Sequence, residues 1–102
     1  MGSRIYKHVH ILIVDDNEGA RESLEEILED DFEVNCVEDG PSALDRITNE
    51  TFDIVLLDLV MPKMDGIETL KRIKAYDQSI DVIMVSATDR AQEATDLSLI
   101  HI

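Results

Sequence analysis

The sequence predicts an α/β domain built on a parallel β-sheet, and three observations carry the prediction. Four short apolar runs alternate with longer stretches of helical period, which is the pattern of βαβ units. Three of those runs are continuously apolar rather than alternating, as strands covered on both faces require. A length of 102 residues with 44% hydrophobic side chains supports one core and leaves too little chain for two ordinary domains.

The first strand is His10 to Val14, and it ends abruptly at the acidic pair Asp15 and Asp16. Over residues 17–31, Ala20, Leu24, Ile27 and Leu28 fall at i, i+4, i+7 and i+8, while Glu18, Glu22, Glu25, Glu26 and Glu29 take other positions, which predicts an amphipathic helix. Residues 32–36 alternate apolar and polar, so the second strand is expected half-exposed at a sheet edge. Asp39 and Gly40 turn the chain into a helix that tolerates Pro41 in its first turn and carries Ala43, Leu44 and Ile47 as its apolar stripe. The third strand, residues 54–57, ends at Asp58. After a loop over 59–64, Asp65 caps a helix bearing Ile67, Leu70 and Ile73, with Lys71, Arg72 and Lys74 toward its C-terminal end, where the macrodipole favours cations. The fourth strand, residues 82–85, ends at Ser86, and a further helix is expected from Asp89.

Charge and composition exclude several function classes. Twenty-three acidic residues against nine basic ones give a formal charge of −14, which repels phosphate backbones and anionic lipids and argues against direct nucleic-acid or membrane binding. No apolar run approaches the roughly 18 residues of a membrane span, and residues 1–7 carry no signal-peptide pattern. Gly2 lacks the Ser or Thr four residues on that myristoylation favours, because Tyr6 stands there. Cys36 is the single cysteine, so no internal disulfide forms, and His8, His10 and His101 show no metal-ligand spacing with it. The expected compartment is cytoplasmic. The expected organisation is a tail over 1–9, one domain over 10–96, and a foreign segment over 97–102. Those last six residues, Leu97, Ser98, Leu99, Ile100, His101 and Ile102, match the translation of a transposase adaptor used in sequencing libraries, the alternative being an ordinary helix end.

In an open parallel sheet, ligands bind outside the carboxyl ends of the strands, where strand order reverses. Asp15 and Asp16 end the first strand, Asp58 the third and Ser86 the fourth, so residues scattered in sequence converge on one rim. One aspartate at a strand end is ordinarily a turn or cap residue; three on one rim read differently. Carboxylates that close raise one another's pKa unless a cation neutralises them, and hard oxygen donors with room for water suit Mg²⁺.

The segments Ile11-Leu12-Ile13-Val14-Asp15-Asp16, Asp58-Leu59-Val60-Met61-Pro62-Lys63-Met64-Asp65-Gly66 and Val85-Ser86-Ala87 resemble the receiver domain of two-component response regulators, from His10 to about Asp96. The acidic pair alone is a weak signal; the second segment, following an apolar strand, is a strong one. The resemblance implies a flavodoxin-like, doubly wound sheet of strand order 2-1-3-4, extended to a fifth strand in the family. It implies that Asp58 is the phosphoacceptor, whose carboxylate takes a phosphoryl group from a histidine kinase or phosphotransfer protein. It further implies that Asp16 and Asp58 bind Mg²⁺ directly, Asp15 through water, and Val60 through its backbone carbonyl. Ser86 then either hydrogen-bonds the phosphoryl group and works the switch, or only caps a helix.

Receivers end with a fifth strand bearing a lysine and with a fifth helix; after Ser86 this sequence offers only Arg90 as a basic residue, so the resemblance is to a C-terminally truncated receiver. The alternative function is a non-switching interaction module that keeps the fold, and an appended output domain stays open. An aspartate-nucleophile phosphatase fails on spacing, because the acid required two residues after the nucleophile is Val60. Val60 also cannot orient an attacking water through its side chain, so self-dephosphorylation is expected to be slow.

Overall fold

A computed structural model describes residues 6–58 and 65–84. In chain order the described elements are β1 (His10–Val14), α1 (Glu18–Leu28), β2 (Glu33–Val37), α2 (Gly40–Asn49), β3 (Ile54–Leu57), α3 (Gly66–Tyr76) and β4 (Asp81–Met84). The strands form one sheet in the order β2-β1-β3-β4, and every pairing is parallel. The expected β1 and β3 match residue for residue. Val60, Ser86, the end of the expected fourth strand at Val85, the helix from Asp89 and the segment 97–102 lie outside the described residues.

The period of two along each strand divides the core between the two faces of the sheet. Leu12 and Val14 of β1, Val55 and Leu57 of β3 and Val82 of β4 point to one face, where Ala43 and Ile47 of α2 and Ile67, Leu70 and Ile73 of α3 complete a continuous cluster. Ile11, Ile13 and Leu56 point to the other, where Leu24 and Leu28 of α1 pack. Helices on both faces explain why β1 and β3 read as unbroken apolar runs. β2 is an edge strand with no fully buried residue, as its alternation predicts, although it begins at Glu33 and runs to Val37.

α1 departs from the expected stripe in one respect. Its inward arc runs from Ala20 through Leu24 and Leu28 to Arg21 and Glu25, and Ile27 falls on the outer flank, 68% exposed. The helix also stops at Leu28 rather than running on to Asp31. The residues that follow are Glu29, Asp30 and Asp31, whose charges oppose the negative end of the macrodipole. The end is closed by a cation from outside the helix, since Lys7 Nζ donates to the carbonyls of Glu29 and Phe32. Tyr6 stacks on Phe32 at 5.7 Å between ring centroids, so the residues just before β1 are fastened to the α1–β2 turn.

Each helix starts on a side-chain cap. Asn17 accepts from the Ala20 N–H, Asp39 from the Ser42 N–H and Asp65 from the Glu68 N–H, each at 2.8–2.9 Å. At the opposite end of the sheet from the acidic pair, the His10 ring ties three segments together. Its Nδ1 donates to the Thr51 carbonyl at 2.8 Å, its Nε2 pairs with the Asn35 side-chain amide at 2.6 Å, and it lies 4.1 Å from the Phe52 ring.

Lys74 is buried, at 6% exposure, and its Nζ donates to the Gln78 carbonyl at 3.1 Å and to the Ile80 carbonyl. It therefore holds the α3–β4 connection as well as complementing the macrodipole. Lys74→Ala is expected to cost about 2–3 kcal/mol of stability, the worth of a lost charge-assisted hydrogen bond. The exposed Lys71→Ala is expected to change it by less than about 0.5 kcal/mol. Urea unfolding of the two variants side by side checks the difference.

Candidate functional site

The acidic rim is built by strand register. Val14 pairs with Val37 of β2 on one side and Leu57 of β3 on the other, so the next residues, Asp15 and Asp58, leave the sheet as neighbours. Two ladder bonds persist past the strand ends and hold them there: the Asp15 N–H donates to the Val37 carbonyl at 3.2 Å, and the Asp58 N–H donates to the Val14 carbonyl at 2.9 Å. This is the seam between β1 and β3, where the chain order in the sheet reverses direction and where an open α/β sheet has its crevice.

The structure brings together three of the residues expected at the site. Asp15, Asp16 and Asp58 each offer a carboxylate oxygen, and these oxygens lie within 4.8 Å of one another. Their surroundings differ. Asp15 is buried, Asp58 partly buried and Asp16 exposed, so the cluster opens to solvent on one side. Burial pushes the Asp15 carboxyl above its ordinary pKa, the Asn17 N–H that it accepts at 2.9 Å pulls the other way, and the charges of Asp58 and Asp16 push it further up. The Asp58 side chain beside it adds to that upward push.

Two further residues at the rim fall outside the sequence motifs. Asn17 is both the cap of α1 and a donor, through its backbone, to Asp15 Oδ1. Arg21, one turn into α1, reaches back so that its Nη1 donates to the Asp15 carbonyl at 2.8 Å. The only signal in the sequence is an arginine six residues after Asp15, and apolar periodicity is blind to it. Shallow concavities lie elsewhere, over the outer face of α1 beside Gly19, Glu22 and Glu26. They hold no part of the acidic cluster.

The donor set fits a hard divalent cation. All three side chains are oxygen donors, they stand close enough to share one ion, and their mutual repulsion is relieved by positive charge. Three carboxylates with an open side leave room for water and for a phosphate oxygen, the combination Mg²⁺ prefers.

A family model described as the response regulator receiver domain matches residues 11–100. The chain is 44% identical over 91 residues to sporulation initiation phosphotransferase F of Bacillus subtilis, covering 85% of this chain and 73% of that protein. It is 36% identical over 86 residues to response regulator MprA of a Mycobacterium species, covering 83% of this chain but only 37% of the relative's length. Among solved structures, a CheY-like receiver domain protein from Methanospirillum hungatei superposes with a TM-score of 0.84 at 29% identity, over 90% of this chain and 76% of that one. The response regulator TrrA from Thermotoga maritima, solved in complex with Mg²⁺ and BeF, superposes with a TM-score of 0.81, also at 29% identity, over 90% of this chain and 81% of that one.

The chain belongs to the receiver-domain family of two-component response regulators. That is a class of signalling phosphoacceptor domains rather than of turnover enzymes, and the Asp15, Asp16 and Asp58 cluster corresponds to its acidic Mg²⁺ site. Among the described residues, no helix is long and apolar enough to cross a membrane.

Proposed function

We propose that this chain receives a phosphoryl group on Asp58, in a Mg²⁺-dependent transfer from a histidine kinase or a phosphotransfer protein. The observation that carries the reading is the convergence of the three aspartates at the β1–β3 seam. Asp58 is the acceptor because it stands partly buried in the centre of that rim, with its backbone fixed by the bond to Val14. Its carboxylate oxygen forms the new O–P bond as the P–N bond to the donor's imidazole breaks, and the electron pair stays on the imidazole nitrogen.

Asp16 and Asp58 would hold the ion directly and Asp15 through water, with the Val60 carbonyl as a further ligand. Bound there, Mg²⁺ offsets the charge on the transferring phosphoryl oxygens, which is most of what such a transfer asks of a protein. Asp15 contributes by being held still: its backbone sits in the ladder with β2 and one of its carboxylate oxygens is fixed by Asn17. Ser86 would donate to the phosphoryl group and transmit its arrival to the neighbouring surface. A kinase or phosphotransfer partner and a cytoplasmic location are part of the same reading, supported by membership of the family.

The test is incubation with acetyl phosphate and Mg²⁺, followed by intact-mass measurement. One added phosphoryl group is expected on the wild-type chain and none on Asp58→Asn. That substitution removes a repelling charge and leaves the core untouched, so its silence cannot be put down to unfolding. Equal addition to both proteins would move the acceptor elsewhere. Mg²⁺ binding lost in Asp16→Ala, with no phosphorylation of the wild-type chain, would instead favour a non-switching interaction module.

A further inference from the structure

The contacts of Arg21 assign a role to a residue outside the acidic cluster. We propose that Arg21 is a positioning residue for the ion site, clamping the peptide that joins Asp15 to Asp16 so that the Asp16 carboxylate is aimed at the seam. The proposal rests on the reading of the three aspartates as a Mg²⁺ site.

The backbone of Asp15 is held at both ends. On its amide side the N–H is bound to Val37 of β2. On its carbonyl side the strand ladder has ended, and the acceptor is taken instead by the Arg21 guanidinium at 2.8 Å. That carbonyl belongs to the peptide plane leading into Asp16, so fixing it fixes the torsion that sets where Asp16 projects. Asp16 is exposed, and no packing of its own side chain into the core can substitute for a fixed backbone.

The clamp is built into α1. Arg21 lies on the inward arc of the helix, half-buried in the crevice beside Cys36, Val37 and Ser42. Its own N–H donates to the Asn17 carbonyl at 3.0 Å, and the Asn17 N–H donates to Asp15 Oδ1. The first turn of the helix and Asp15 therefore form one closed set of bonds. A guanidinium suits the task because its donors sit in a rigid plane and lose little freedom on binding. It engages a backbone carbonyl here, which leaves the carboxylate oxygens to the ion.

Partners that orient metal ligands without touching the metal are worth about 10–100-fold in affinity. The experiment measures binding of Mn²⁺, an ion with the same oxygen preference, by loss of its free EPR signal, with Mg²⁺ as competitor. Arg21→Met is expected to bind Mn²⁺ at least about tenfold more weakly than wild type. Leu24→Ala, on the same helix and away from the rim, is expected to lower stability in urea without changing that affinity, which separates aiming the site from holding the helix. Should Arg21→Met not fold by circular dichroism, Arg21→Gln, which is too short to reach the carbonyl, takes its place with the same expected loss. Wild-type affinity in the folded Arg21 variant overturns the proposal while leaving the ion site intact. A wild-type chain that binds no Mn²⁺ overturns the ion site itself.

Discussion

Mg²⁺ is expected to raise the unfolding free energy of the protein by about 2.7 kcal/mol once it reaches about one hundred times its dissociation constant. Asp16→Ala is expected to erase most of that gain. The size follows from binding to the folded state alone, since nothing keeps the three aspartates together in an unfolded chain. The gain should also depend on pH in a definite sense. Asp15 titrates higher when folded than unfolded, because of its burial and then the neighbouring Asp58 and Asp16 charges. Without the ion, its contribution to stability is fully present below the unfolded carboxyl value of about 3.9 and is lost as pH rises through the folded value. With the ion the carboxylate form is the one that is stabilised, so the difference between curves with Mg²⁺ and with EDTA should widen over that range. Urea melts at a series of pH values measure it, and parallel curves would remove the ion from the site.

Leu12→Ala is expected to cost about 3–5 kcal/mol, the range for truncating a leucine that its surroundings cannot collapse around. Leu12 is fully buried in β1, with β2 and β3 on either side and α2 and α3 over its face of the sheet. Domains of this size have total stabilities of about 5–15 kcal/mol, so the loss is a large share of the whole. Ile27→Ala, by contrast, is expected to stay within about 0.5 kcal/mol, because that side chain is already in solvent. The pair checks the placement of apolar residues more sharply than either variant alone. Comparable losses at the two positions would contradict it.

Sequence patterns carried most of the architecture. β1 and β3 are legible because a short, unbroken apolar run between turn residues suits a strand covered on both faces, and Asp65 because a capping residue acts within its own turn. Asp15, Asp16 and Asp58 are legible because parallel topology places strand ends on a common rim. What escaped depends on distances between elements. Ile27 satisfies the helical period, yet only the seat of α1 on the sheet decides which edge of the stripe is covered. Lys74 and Arg21 are both long cations whose partners are backbone carbonyls, and every residue has a carbonyl, so no spacing announces which one they reach. The acceptor becomes identifiable only after the chain has folded.

The unequal depth of the two sheet faces bears on how the protein breathes. α3 buries five side chains and α2 two, whereas α1 buries none completely. Local opening free energies follow buried apolar contact, so amides of α1 belong to the fast-exchanging part of the molecule and those of β1 and β3 to the slow part. The helix with the shallowest seat is also the one whose first turn carries Asn17 and Arg21. Fraying at that end of α1 would release the acidic loop while the sheet stays intact, so occupancy of the rim and protection of a single helix should rise and fall together.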